Sequence, residues 1–248
     1  MRAPDWLTAR PVAHRGLHNA ARGIIENMPA AFNAAIAAGF TIETDLQLSA
    51  DGEAMVHHDH ALGRLTEGEG LLRGKTAAEL RQVAFKATSE RMMRLGEFCD
   101  HVGGRVPLLI EFKSHFDGDR QLADRVAKVL AGYRGPVALM SFDPDQVMAI
   151  RDILPDRPRG ITAERHYRDP EWAPLPPHAR RAMIGLRHGF RTRPHFIAYR
   201  VDDLPAPPPW IARHVFGCAL LGWTVRTPEQ RARAARYADQ MIFEGFVP

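Results

Sequence analysis

"TIETDLQLSADGEAMVHHDH", residues 41–60, joins two patterns whose combination decides the fold. Ile42, Thr44, Leu46 and Leu48 alternate with Glu43, Asp45 and Gln47, the two-residue period of a β-strand with one apolar and one acidic face. An Asp51-Gly52 turn follows, then Met55-Val56 and the imidazole-rich run His57-His58-Asp59-His60. The turn predicts a hairpin in which segment 54–58 folds back on the end of the strand before it. In an open sheet the acidic face would simply lie in water. In a barrel wall every second residue points inward, and Glu43 and Asp45 then share an interior.

The flanking sequence selects the barrel. Short apolar runs at 11–16, 40–48, 105–113, 136–142, 159–162, 195–201, 218–225 and 240–245 predict eight strands. Helical patterns at 28–40, 76–85, 95–102, 119–133, 143–155, 208–217 and 227–238 fall among them. Punctuation agrees: Pro29 opens one helix and Gly39 stops it, and Asp143-Pro144 caps and starts another. Eight strands alternating with helices over this length is the pattern of an α/β protein of the (β/α)8 TIM-barrel type, here with a hairpin extension after the second strand. No G-x-G-x-x-G follows the first strand, which argues against an open dinucleotide-binding sheet. No linker or repeat interrupts the pattern, so residues 1–248 read as a single TIM-barrel domain. The Pro/Arg-rich stretch 165–194 reads as a long loop with a short helix.

The composition, 45% apolar and 25% charged over 248 residues, is that of an ordinary globular chain whose core needs no disulfides. Of 33 basic residues only Lys75, Lys86, Lys113 and Lys128 are lysine. That bias, at a net charge of +4, reads as a property of the coding sequence more than as a nucleic-acid surface, since no Lys/Arg block with interleaved aromatics appears. The arginine surplus does suit an anionic substrate. Cys99 and Cys218 stand in apolar contexts outside any C-x-x-C and read as buried free thiols in a reducing compartment. The N-terminal residues lack the apolar run of a secretory signal, and no apolar stretch reaches the ~18 residues of a membrane span. A cytoplasmic protein with no membrane insertion is expected; nothing bears on its oligomeric state.

In such barrels the chemistry sits at the C-terminal ends of the strands. There the sequence places His14-Arg15 on the first strand, Glu43 and Asp45 on the second, His58-Asp59 on its hairpin, Glu111 and Lys113 on the third and Trp223 on the seventh. Taken singly, each has a bland explanation: an exposed strand face for the carboxylates, a hydrogen-bonded core histidine for His14, a solvated strand end for Lys113. Together they are harder to dismiss, because a buried carboxylate costs several kcal/mol unless paired or metal-bound. Three oxygen-ligand residues converging on one rim call for a hard divalent cation, Mg²⁺ or Ca²⁺.

His14-Arg15-Gly16, Glu26-Asn27, Glu43-x-Asp45, Asp51-Gly52 with His58-Asp59, Glu111-x-Lys113 and Trp223-Thr224-Val225 occur in that order, with Leu62-x-Arg64-x-Thr66 and Ser141-Phe142-Asp143-Pro144 among them. The set, spanning about residues 11–245, resembles the glycerophosphodiester phosphodiesterase family. The resemblance implies a phospholipase-C-like phosphodiesterase barrel. It implies a divalent metal on Glu43, Asp45 and Glu111, an acid/base pair of His14 and His58, and Arg15 and Lys113 facing the phosphate of a small anionic phosphodiester. Trp223 would wall the pocket or face a quaternary ammonium headgroup. The family motif also selects His58 over His57 and His60. His18, His115 and the remaining histidines read as surface or structural. Glu26 and Asn27 read both as the cap of the following helix and as rim residues.

The sequence departs from the family pattern at Met28, where Thr or Ser is usual, at Leu65, at Met93, at Arg226 in place of Asn, and at the end of the last strand, which reads Phe243-Glu244-Gly245 where Thr-Asp is common. Arg226 either favours a more anionic headgroup or pairs with Glu244. The leading expectation is hydrolysis of glycerophosphodiesters to glycerol 3-phosphate and an alcohol. The alternatives are phospholipase-D-like cleavage of lysophospholipid or sphingomyelin headgroups on the same barrel, and a non-catalytic headgroup-binding barrel, which would have no use for an acid/base pair.

Overall fold

The computed structural model describes residues 2–169, 172–173 and 175–248. Its strands are β1 (Val12–Ala13), β2 (Thr41–Leu48), β3 (Ala54–Val56), β4 (Leu108–Phe112), β5 (Val137–Ser141), β6 (Arg159–Ala163), β7 (Phe196–Arg200), β8 (Ala219–Val225) and β9 (Gln240–Phe243). They hydrogen-bond in the order β1-β9-β8-β7-β6-β5-β4-β2, and β1 pairs with β2 to close the ring. All pairs in the ring are parallel, with Val12 opposite Thr41 on one side and Ile242 on the other. Closure leaves no open edge, so each strand's amides are paired on both flanks. β3 lies outside the ring, antiparallel to β2, with Leu46 opposite Val56. The expected eight-stranded barrel with a hairpin after its second strand is the fold found.

Helices α1 (Pro29–Ala38), α2 (Ala77–Gln82), α3 (Leu95–Val102), α4 (Gln121–Leu130), α5 (Pro144–Ile153), α6 (Pro177–Ile184), α7 (Gly189–Thr192), α8 (Pro207–His214) and α9 (Pro228–Tyr237) wrap the ring. Their ends follow the sequence signals: the Asp143 carboxylate accepts from the Asp145 amide, and Thr227 forms a capping box with Gln230. Among its described residues the stretch 165–194 carries two α-helices, α6 and α7, where one was expected. Its Pro and Arg content masked the second, four-residue one. Pro170, Glu171 and Pro174 of that stretch lie outside the described residues.

Strand alternation sorts the core into two layers. Outward residues such as Ile42, Leu46, Leu108 and Ile110 meet Phe32, Phe98, Leu122 and Val126 from the helices. Inward residues Val12, Leu109, Ala138, Phe196, Ala198, Leu221 and Ile242 fill the barrel, with Leu7 from the N-terminal turn buried among them. β2 is buried on both faces, so its acidic side is an interior surface and not a wet one. Apolar residues of 62–92 form a small cluster of their own beside the hairpin. Met28 is fully buried there with Met55, Leu62, Leu72 and Phe85, which accounts for an apolar residue at that departure from the family pattern.

One tight spot in the wall is testable. A methyl group on Gly160 would lie 2.2 Å from the ring of Phe196, itself fully buried inside the barrel. Gly160→Ala is expected to lower unfolding free energy by about 1–3 kcal/mol, as overfilled cores do. Urea denaturation should show that loss, and adding Phe196→Leu should recover part of it, because neighbouring substitutions couple.

Candidate active site

The site begins with a sharp turn. β1 is only two residues long because the chain leaves the sheet at His14, whose amide still donates to the Phe243 carbonyl. Arg15 (φ +56°) and Gly16 (φ +79°) adopt left-handed backbone conformations. Only glycine fits at 16, since an added Cβ would sit 2.9 Å from Ala31. The turn aims the Arg15 amide at Glu43 Oε2 (2.8 Å) and its guanidinium at Glu26 Oε1 (2.6 Å), with Nε 3.4 Å from Asp45 Oδ2.

Glu43, Asp45 and Glu111 each offer an oxygen within 4.8 Å of the others', and all three are buried. β2 and β4 run parallel with Asp45 opposite Glu111, so alternation projects all three carboxylates into the barrel mouth. Lys113 Nζ bridges Asp45 Oδ1 (2.9 Å) and Glu111 Oε1 (2.5 Å). Asn27, also left-handed (φ +58°), donates to Asp45 Oδ2 (2.9 Å) and accepts from Thr44 (2.7 Å). Burial pushes the Glu43 carboxyl well above its ordinary range, helped by the charges of Asp45 and Glu111. Burial would raise Asp45 too, but Lys113, His58 and Arg15 outweigh it and hold that carboxyl well below its ordinary range. Lys113 stays raised despite burial because Asp45 and Glu111 face it.

The two histidines flank this cluster with matching supports. His14 Nδ1 lies 2.5 Å from Glu244 Oε2, and Arg226 Nε donates to the other oxygen of Glu244 at 2.5 Å. His58 Nδ1 lies 2.8 Å from Asp59 Oδ1, and Arg64 Nε donates to Asp59 Oδ2 at 2.6 Å. Burial lowers His14 to about 4 against the opposing pull of Glu244, so at neutral pH it is uncharged. Glu244 and Asp59 are both held below the usual carboxylate range: burial opposes this, and their histidine and arginine partners outweigh it. Each ionised carboxylate therefore accepts from Nδ1, leaving Nε2 of each ring as the working atom.

His14, Arg15, Glu43, His58, Glu111 and Lys113 all line one cavity of about 610 Å³, and Asp45 is buried among them. Trp223 lines the same cavity, its indole donating to the Ala198 carbonyl (3.0 Å) and its ring meeting Phe142 edge-on at 5.4 Å. Phe142 in turn packs on Trp172 at 4.9 Å, giving that wall an aromatic surface. Every residue singled out in the sequence is thus brought to one rim. His57 is buried against Phe85 and does not line the cavity.

Several residues take parts that the sequence reading did not assign them. Glu26 and Asn27 do not cap α1, whose cap is Met28 without a side-chain bond. Glu26 instead accepts from both Arg15 and Arg64, and burial notwithstanding, those cations lower it to about 2. His60 and His115 stack at 4.3 Å on the cavity lining, and His18 Nε2 lies 3.5 Å from Glu244. Glu244 was visible as a departure from Thr-Asp and as an alternative partner for Arg226, a pairing the structure shows, but its support of His14 was not foreseen. Its position at the end of the last strand, beside the first, was the signal available.

A family model described as "Glycerophosphoryl diester phosphodiesterase family" matches residues 14–246. A glycerophosphodiester phosphodiesterase from Caldanaerobacter subterraneus subsp. tengcongensis is 29% identical over 160 residues, 60% of this chain and 65% of that protein, so the aligned part falls just short of two thirds of the relative. Among solved structures, an Oleispira antarctica phosphodiesterase in complex with the product sn-glycerol-3-phosphate superposes with a TM-score of 0.76 at 20% identity, covering 94% of this chain and 91% of that one. A glycerophosphodiester phosphodiesterase from Thermotoga maritima gives 0.69 at 23% identity, with 94% of each chain covered. At these identities the two structures speak for the fold. Among the described residues no helix is long and apolar enough to cross a membrane. The match across nearly the whole barrel makes this chain a member of the glycerophosphoryl diester phosphodiesterase family.

Proposed function

We propose that the chain, working as one barrel domain, hydrolyses glycerophosphodiesters to glycerol 3-phosphate and an alcohol. The observation that carries this reading is the pair of histidines, each supported at Nδ1 by a carboxylate, on the rim of a buried three-carboxylate cluster. The donor set fits a divalent cation, Mg²⁺ or Ca²⁺: all ligands are hard oxygens, and burial together with the negative charge of Asp45 and Glu111 pushes Glu43 toward protonation. Such an ion on Glu43, Asp45 and Glu111 would supply charge neutralisation of the phosphate's non-bridging oxygens. Buried, unbridged Cys99 and Cys218 suit a reducing, cytoplasmic setting.

The chain's own residues divide the remaining work. His14, uncharged at neutral pH, takes the proton of the attacking oxygen through Nε2, while Glu244 holds the imidazolium that results. The new P–O bond forms as the P–O bond to the alcohol breaks, and His58 gives its proton to the departing alkoxide. Arg15 and Lys113, already positioned by carboxylates, face the phosphoryl oxygens as charge shifts onto them. The aromatic wall of Trp223 and Phe142 takes the alcohol's headgroup.

Release of glycerol 3-phosphate from a panel of glycerophosphodiesters should require Mg²⁺ or Ca²⁺ and stop in EDTA, and Glu43→Gln should raise the cation concentration needed. Choline release from lysophospholipid without glycerol 3-phosphate release would favour the phospholipase-D-like alternative. His14→Ala and His58→Ala should each lower kcat about 10²–10⁴-fold while thermal melts show a folded barrel. Unchanged turnover in both would remove the mechanism.

The pH profile carries a separate expectation. Protonation of His14 near pH 4 removes the base, so kcat/KM should fall as pH drops toward that value. Glu244 favours the imidazolium, so Glu244→Gln should shift this acid limb to lower pH while lowering kcat. Because the folded His14 pKa lies below its unfolded value of 6.5, the unfolded chain binds more protons between pH 6.5 and 4, and stability should decline as pH falls through that window.

A further inference from the structure

The outer face of the barrel at α7 and α8 combines two features that the proposed reaction does not use. Phe190 is 81% exposed, Phe216 58% and Ile211 43%. The two phenyl rings meet edge to face at 6.2 Å beside a groove of about 550 Å³, which Ile211, Arg187 and Arg193 also line. Val215 and Trp210 extend the apolar surface along α8. Segments 177–193 and 207–217, which carry α6, α7 and α8, contain six arginines and no Asp or Glu. Arg213 is paired with Asp239, and among the described residues Arg191 has only an exposed Asp145 at 3.9 Å. Among the described residues no carboxylate lies within ion-pair distance of Arg187 or Arg193.

A contiguous exposed apolar patch marks a contact surface, and its cationic border restricts what covers it. A second copy docked by this face would set arginine against arginine across a two-fold axis, with no acidic residue on either segment to neutralise them. A nucleic-acid backbone would satisfy the guanidinium groups but leave Phe190, Ile211 and Phe216 in water. An anionic bilayer meets both demands, with rings at the headgroup level and guanidinium groups on lipid phosphates. We propose that this face docks the protein reversibly on anionic phospholipid surfaces, Phe190, Ile211 and Phe216 entering the interface and Arg187, Arg191 and Arg193 meeting the headgroups.

The groove includes Pro194 and Cys218, which precede β7 and β8, and so lies toward the N-terminal ends of the strands. The cavity with the two histidines opens at the other end. A docked molecule therefore keeps its site open to water-borne substrate, and docking does not depend on the proposed hydrolysis.

Full-length protein is mixed with vesicles of phosphatidylcholine containing phosphatidylglycerol, or of phosphatidylcholine alone, and sedimented at ~0.1 M and ~0.5 M salt. Partition onto the anionic vesicles at low salt, lost at high salt and absent on phosphatidylcholine, is expected. The triple variant R187E/R191E/R193E should lower the partition coefficient about a hundredfold, and R193Q alone about fivefold. F190S/F216S should lower it about tenfold. All of these side chains are exposed, so melting temperature and turnover of a water-soluble diester should stay at wild-type values. Failure of the wild-type protein to partition, or equal partition by R187E/R191E/R193E and R193Q, would overturn the proposal. So would a solution dimer that F190S/F216S dissociates, or tighter retention on duplex DNA than on the anionic vesicles.

Discussion

Three carboxylates buried within 4.8 Å of one another are the constraint around which the mouth of this barrel is organised. Taken out of water, such a cluster is tolerated only if positive charge and hydrogen-bond donors surround it. The barrel supplies them from several directions: Lys113 across Asp45 and Glu111, the Arg15 amide on Glu43, its guanidinium beside Asp45, and the Asn27 amide on Asp45. Two of these donors, Arg15 and Asn27, reach the cluster from left-handed backbone conformations. That backbone strain persists where the surrounding contacts over-determine it. The balance is still incomplete, since Glu43 is driven toward protonation, and a divalent cation is the addition that would complete it.

A second layer of ion pairs carries this organisation outward. Arg15 shares Glu26 with Arg64, Arg64 reaches Asp59, and Asp59 supports His58. On the opposite flank Arg226 holds Glu244, which supports His14. The two histidines, one on the first strand and one on the hairpin, thus have the same arrangement: imidazole, carboxylate, guanidinium. Arg226 and Glu244 are both departures from the family pattern, and the structure shows them to be partners. The Glu244 carboxylate and the Arg226 guanidinium act as one unit that supports His14.

Much of this was legible in the sequence because period and position are strong signals. The alternation at 41–48, the Asp51-Gly52 turn and the count of eight strands led to the barrel, and the rule that chemistry lies at strand ends led to Glu43, Asp45, Glu111 and the two motifs with histidine. What was missed has a common cause. The support of His14 by Glu244, the hold of Arg64 on Asp59 and the bridging of Arg15 and Arg64 by Glu26 depend on side-chain contacts, several between segments far apart in the chain, and an ion pair leaves no periodic trace. Lys113 illustrates the difference. The sequence offered it as a phosphate ligand, whereas in the folded chain its ammonium group first answers the charge of Asp45 and Glu111. α7 was missed for a simpler reason, since four helical residues between a histidine and an arginine fall below the length at which helical period is readable.

The arginine surplus shows where composition stops being informative. Composition gives how many arginines there are, but not where the fold puts them. Arg15, Arg64 and Arg226 are each committed to carboxylates at the rim, where planar guanidinium groups hold acceptors in fixed directions. Arg187 and Arg193 border an apolar groove on the opposite side of the strands' polarity, and among the described residues no carboxylate pairs with them. In the sequence the arginines of 177–193 and the apolar residues of 210–216 belong to separate segments, so no basic block with interleaved aromatics was visible. Folding brings α7 and α8 together and makes one surface of them. The same residue type thus serves in two unlike settings: at the mouth it offsets buried negative charge, and on the flank it borders an apolar face with its cationic charge, the combination on which the proposed docking rests.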